Sequence, residues 1–291
     1  MIDENNYNRT FTQDELDKYI QKSPLVKKIQ MLVEELRKRE LRTTSSGHLD
    51  KSNLEERLPY CFSVYPMRAW EYCRTYEICG IEKGKKVLDC GGASSPIVFF
   101  AASEGASVTT IDLQKSLVKN TMKVSRIMNW DIDPLVADMT EIPFKDETFD
   151  VVISISVLEH LPNDVKTKAL KEFRRVLKKG GIAGITFDFG KSLNAKTEYD
   201  YQKHDQFHTP LQNVEEIMKY IVEPSGMEIH GNKIFTQTEI DPDKEYMRRF
   251  FFEYYEGDLK YKVKQKIRSL LGTFDIPYYY YTFFTLFLRK L

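Results

Sequence analysis

The stretch VLDCGGASSP, residues 87–96, decides how the rest of the chain is read. An apolar run carries Asp89 near its end, a glycine pair follows at Gly91 and Gly92, and small residues lead through Ala93 into a helical pattern. Small residues let the backbone approach a ligand closely, and the first turn of a helix offers unpaired N–H donors. Taken alone, the stretch is equally a tight strand-to-helix turn with no ligand, because a single glycine-rich turn is weak evidence. Its surroundings carry more. Strand candidates at 85–90, 107–113, 133–138, 149–155 and 181–189 alternate with helical spacing over 95–103, 114–129 and 165–178. Continuous apolar strands separated by helices predict a parallel sheet covered on both faces. Right-handed crossovers then place the strand C-termini along one edge, where ligands of open α/β sheets bind.

Acids stand at three of those strand ends. Asp89 closes the first, Asp112 the second, where a carboxylate accepts hydrogen bonds from both ribose hydroxyls, and Asp138 the third, in reach of the amine of a base. Each alone is more commonly a helix cap or a turn residue. Three on one edge point to a ligand. A dinucleotide dehydrogenase would want G-x-G-x-x-G at 91–96, which reads GGASSP.

The region from Lys85 to Phe189 resembles the class I S-adenosylmethionine-dependent methyltransferases, in particular the small-molecule group with LEH after the fourth strand. The matching pieces are VLDCGG, TTIDL, VADMTEIPFKDETFDVVISISVLEHL and FRRVLKKGGIAGITFDF. The resemblance implies a Rossmann-like, seven-stranded, mostly parallel sheet with helices on both faces and an antiparallel last strand, supplied by YYYYTFFTLFL (278–288) after MEIHGNKIF (227–235). It implies S-adenosylmethionine as cofactor. Asp89, Gly91, Gly92 and Ala93 would line its methionine part. Asp112 would hold the ribose, Leu113 and Met139 the adenine ring, and Asp138 the adenine amine. Ile155 and Ser156 would contact it near the sulfonium, with Tyr65 and Arg68 closing over it. One departure stands out: the family commonly has glycines where this chain has Ala93 and Ser95, which is tolerable if φ stays negative.

Methyl transfer to oxygen or protonated nitrogen needs a proton removed. His160, just beyond the fourth strand, is the candidate base, its other readings being substrate positioning or a local cap with Glu159. Asp188 on the fifth strand either orients an acceptor hydroxyl or caps a turn. His204 and His208, in YQKHDQFH (201–208), are four apart, but no partner carboxylate motif supports a metal. A substrate-facing or solvated loop is expected there.

The flanks read as helical. Residues 13–42 have Leu25, Ile29, Leu32, Val33 and Leu36 on one face, with Pro24 suited to the first turn, and another helix runs from Pro66 to Cys79. A further helix over 211–222 is ended by Pro224 and Gly226. The chain thus divides into a helical N-terminal extension or cap, 1–80, and a methyltransferase domain, 81–291, with a helical insertion at about 240–273. In that insertion an aromatic helix (246–255) and a basic one (259–270) suit a lid or a homodimer face. The basic face is either solvated or set against an anionic substrate or membrane surface.

The 291 residues carry 43 basic and 43 acidic side chains, which excludes a globally basic nucleic-acid binder and a highly acidic disordered chain. The tetrapeptide of base-amine methyltransferases is replaced by SISV (154–157). Cys61, Cys73, Cys79 and Cys90 form no CxxC pair, and the start MIDENNYNRT lacks the features of a secretory signal, so a cytoplasmic protein with reduced thiols is expected. The run Ile276 to Leu288 is too short and too polar to span about 30 Å of hydrocarbon. The expected function is methyl transfer to oxygen or nitrogen of a small acceptor (sugar, lipid-linked or secondary metabolite). The alternatives are a cofactor-binding regulatory or scaffold protein without turnover, or a protein or RNA methyltransferase.

Overall fold

The computed structural model describes residues 2–43, 64, 66–190, 211–235 and 282–291. Tyr65, His204, His208 and the aromatic and basic helices expected within 240–273 lie outside the described residues. Among the described residues, seven strands, β1 (Lys86–Cys90), β2 (Ser107–Asp112), β3 (Ile132–Val136), β4 (Phe149–Ile155), β5 (Leu177–Phe189), β6 (Glu228–Ile229) and β7 (Thr282–Arg289), form one sheet in the order β3-β2-β1-β4-β5-β7-β6. The first five are parallel; β7 runs antiparallel between β5 and β6. This is the Rossmann-like arrangement with an antiparallel last strand that the resemblance implies.

Period-two alternation splits the strand residues between two cores, because successive side chains leave opposite faces of a pleated sheet. Val87, Val108, Val151 and Ile153 pack with the helices α2 (Pro24–Lys38), α3 (Pro66–Ile78) and α4 (Pro96–Ser103), and with Val124 of α5 (Lys115–Met128). Leu88, Val152, Ile185 and Phe187 pack on the other face, against Leu170 and Phe173 of α6 (Asn163–Val176) and Ile217 and Ile221 of α7 (214–225). Helix α7 opens as an ordinary turn (Val214–Ile217), widens to a π-type turn (Met218–Val222) and finishes as Glu223–Ser225 before Gly226 at φ +61°. Pro224 sits inside that last turn and Gly226 alone ends it.

Two expectations need correction. The helical pattern over 13–42 is two helices, α1 (Gln13–Lys22) and α2, ending at Lys38. Pro24 cannot donate a backbone hydrogen bond, and Ser23 caps the second helix by accepting from the Val26 N–H. The strand expected over 227–235 is in register with β7 at Glu228 and Ile229, and its pairing ends with the His230 N–H donating to the Phe287 carbonyl at 2.8 Å. Beyond them Gly231 turns the chain at φ +86°, and Asn232 meets the N-terminal segment instead.

That segment, residues 6–11, straps the sheet beside β6 and β7. Asn8 is fully buried: its amide donates to the carbonyls of His230 and Asn232 at 2.8 and 2.9 Å, and its carbonyl oxygen accepts from the Phe287 N–H at 2.7 Å. Asn8→Ala leaves these backbone groups unpaired in the interior. It should lower unfolding free energy by about 3 kcal/mol, read as a shifted denaturation midpoint with unchanged slope.

Candidate functional site

Strands β1, β2, β4 and β5 deliver their C-terminal ends to one edge of the sheet. At the end of β1, Asp89 is 1% exposed. Its Oδ2 accepts from the Thr110 hydroxyl of β2 at 2.6 Å and from the Gly92 N–H at 3.1 Å, while its Oδ1 has no hydrogen-bond partner among the described residues. Burial pushes this carboxyl up to about 7. Gly91 holds φ +85°, and a Cβ there would stand 2.9 Å from Val157 Cγ1 and 3.3 Å from Met139 Cε. A Cβ on Gly92 would stand 2.4 Å from Asp89 Oδ1. The turn is therefore a cradle that a Cβ would overfill, met by Val157, Met139 and Asp89, with one orphaned carboxylate oxygen beside it.

The departure at Ala93 and Ser95 resolves locally. Neither has a positive φ; the left-handed residue is Ser94, at φ +67°. Its hydroxyl donates to the Leu117 carbonyl at 2.9 Å and accepts from the Asn120 amide, also at 2.9 Å, so helix α5 holds the turn without a glycine there.

Asp112, at the end of β2, is buried and accepts the Gln114 N–H at 2.8 Å. Burial raises its carboxyl to about 6, against the backbone N–H groups of Gln114, Ala93 and Leu113, which favour its charge. Leu113 beside it is 68% exposed, an apolar side chain on an open rim. Asp138 lies two residues past β3, exposed, with Oδ1 accepting from the Thr140 N–H and hydroxyl, both at 2.8 Å. Met139 is half-buried and faces Gly91. Asp89, Gly91, Gly92, Ala93, Asp112 and Met139 thus gather around one turn.

A second group gathers where α3 crosses the ends of β4 and β5. Ile155 is half-buried, and Ser156 follows at φ +50°, its hydroxyl donating to Glu71 Oε1 at 2.7 Å. Arg68 pairs with Glu71 Oε2 at 2.8 Å, its guanidinium 5.1 Å from the centre of the Phe283 ring. Asp188 is buried on β5, and its N–H donates to Glu159 Oε1 at 3.3 Å. Burial, then the Asp188 charge, pushes the Glu159 carboxyl well above its ordinary range. Burial also raises Glu71, opposed by Arg68 and by the Thr186 and Ser156 hydroxyls. His160 is half-buried at the end of a 3₁₀ turn, Leu158–His160, its N–H donating to the Val157 carbonyl at 3.0 Å. Glu71 and Glu159 were missed from sequence. The available signals were the i, i+3 spacing of Arg68 and Glu71 on one helix, and the place of Glu159 beside His160.

A family model described as a methyltransferase domain matches residues 88–185. Among curated relatives, a sterol methyltransferase-like protein of Botryococcus braunii is 29% identical over 143 residues, 48% of this chain and 34% of the relative. A ubiquinone/menaquinone biosynthesis C-methyltransferase of Idiomarina loihiensis is 30% identical over 133 residues, 44% of this chain and 51% of that protein. The matched region thus spans about half or less of these relatives' length. Among solved structures, a [4+2]-cyclase superposes with a TM-score of 0.59 at 16% identity, covering 98% of both chains, a likeness of fold. Residues 88–185, the stretch that carries Asp89, Asp112, Asp138 and His160, are thus similar to a methyltransferase domain.

Proposed function

We propose that the protein transfers a methyl group from S-adenosylmethionine to a small-molecule acceptor, at an oxygen or nitrogen of a sugar, lipid-linked or secondary metabolite. Carbon stands beside them as the accepting atom, because relatives are named sterol methyltransferase-like and C-methyltransferase. The observation that carries the reading is the cradle at the β1 end: an orphaned, buried Asp89 oxygen, bare Gly91 and Gly92 backbone, and Asp112 next to it. A polar ligand with hydrogen-bond donors satisfies that oxygen. Asp89, Gly91, Gly92 and Ala93 take the methionine part, Asp112 the ribose, and Leu113, Asp138 and Met139 the adenine. The cofactor, when bound, supplies an electrophilic methyl group on sulfur. The chain's own part is to hold the acceptor in line with it and exclude water, which accounts for much of the acceleration in such displacements.

His160 removes the acceptor's proton where one must leave, and Asp188 orients the acceptor. Among the described residues no helix is long and apolar enough to cross a membrane, which fits an acceptor met in the cytoplasm or at a membrane surface. Calorimetry with S-adenosylhomocysteine tests the reading: no binding at high micromolar concentration would sink it. His160→Ala should lower turnover by about a hundredfold while leaving that binding intact; normal turnover would remove His160 as base.

A second reading, cofactor binding without methyl transfer, is kept because a protein described as a [4+2]-cyclase shares the whole fold. Tight binding of S-adenosylhomocysteine with no labelled methyl transferred to any of a broad acceptor panel would favour it.

A further inference from the structure

The functional reading leaves Glu71 without a role, although it is fully buried and sits against the strand ends. We infer that Glu71 is a positioning residue for the cofactor site: its carboxylate holds Ser156 in a left-handed backbone conformation and so sets Val157 against the glycine turn. The inference rests on the cofactor-binding reading above.

Ser156 has φ +50°, a region that residues other than glycine, asparagine and aspartate rarely enter because Cβ crowds the backbone. Such a conformation persists only where the surroundings over-determine it. Here they do. The Ser156 N–H donates to the Thr186 carbonyl at 3.0 Å, and its hydroxyl donates to Glu71 Oε1 at 2.7 Å. The Thr186 hydroxyl donates to the same oxygen of Glu71. Thr186 is the register partner of Ile155, so one carboxylate oxygen from α3 fastens the ends of β4 and β5. Arg68 holds the other oxygen at 2.8 Å.

The consequence falls on the next residue. Val157 Cγ1 and Cγ2 lie 2.9 and 3.0 Å from where a Gly91 Cβ would stand, so this side chain lies flush on the bare turn. The Leu158–His160 turn follows directly. A change in the Ser156 backbone therefore moves the wall of the cofactor cradle and the His160 turn together. The competing account is that Glu71 merely neutralises Arg68 inside the protein.

The two accounts differ in what rescues a lesion. Glycine reaches φ +50° at no steric cost, so Ser156→Gly supplies the conformation that Glu71 otherwise enforces. Binding of S-adenosylhomocysteine is measured by calorimetry on the full chain, with thermal melting to verify folding. Glu71→Ala should bind about tenfold more weakly than wild type, and the Glu71→Ala/Ser156→Gly double variant should regain most of that loss. Wild-type affinity in Glu71→Ala overturns the inference, as does a loss that Ser156→Gly does not restore. If Glu71→Ala does not fold, the pair Ser156→Ala and Ser156→Gly decides. The glycine variant should then bind severalfold more tightly, and equal affinities overturn the inference. A wild-type protein that fails to bind overturns the cofactor reading itself, and this inference with it.

Discussion

Asp112→Ala is expected to abolish measurable binding of S-adenosylhomocysteine, a loss of at least about a hundredfold, or roughly 3 kcal/mol. The carboxylate sits at the end of β2, buried and already braced by backbone N–H groups, so on the proposed reading its fixed oxygens would accept from a pair of ribose hydroxyls. Hydrogen bonds to a charged acceptor are each worth more than neutral ones, and two are lost together. Calorimetry on the folded variant is the measurement; affinity within fivefold of wild type would remove Asp112 from the site. The same residue gives the binding a pH dependence of known sign. Burial holds Asp112 up to about 6 and Asp89 up to about 7, so both are partly protonated in mildly acid solution. A neutral carboxyl accepts more weakly, and affinity should therefore rise as pH increases through about 5 to 8. Stability of the ligand-free protein should run the other way. Between pH about 4 and 7 the folded chain keeps protons on these two acids that the unfolded chain has released, so stability falls as pH rises through that window.

Gly92→Ala should cost about 3 kcal/mol of stability and remove cofactor binding with it. The new methyl would lie 2.4 Å from Asp89 Oδ1 and 3.0 Å from its Cγ. Asp89 cannot retreat, because the Thr110 hydroxyl holds it at 2.6 Å and its surroundings are closed. Either the turn shifts or a buried carboxyl loses its partners, and both outcomes destroy the cradle. Denaturation and calorimetry on the same preparation check the two effects. An unaltered midpoint would mean that the Asp89 side chain has room the structure does not give it.

Much of this was legible in the pattern of apolar residues. Strands buried on both faces read as continuous apolar runs, which is why β4 was placed to the residue and β1 to within one; the half-exposed edge strand β3 was placed to within two. The break at Ser23 was legible too, but amphipathic spacing on both sides of Pro24 disguises two helices as one. Contacts between distant residues left no such trace. Ser156 and Glu71 are 85 positions apart, and nothing periodic links a serine after a strand to a glutamate on an earlier helix. Shortening of β6 has the same origin, since Asn232 is drawn away by Asn8, 224 positions earlier. The glycine turn was legible in composition but not in detail: the strained position fell on Ser94, held by a helix that follows it.

The strap at Asn8 also bears on how the molecule comes together in time. Its carbonyl closes on Phe287, 279 positions later, so the chain must be made almost to its last strand before that bond can form. Until then β5 has no partner on the side that β7 occupies, and its apolar edge waits open. Pairings of such sequence separation cost loop-closure entropy before they return any energy, which makes them late and slow. The half of the sheet holding the glycine turn, β3-β2-β1-β4, is complete by Ile155 and needs no such wait. The nascent chain therefore passes through a state with the cradle's strands paired and the other half of the sheet unclosed.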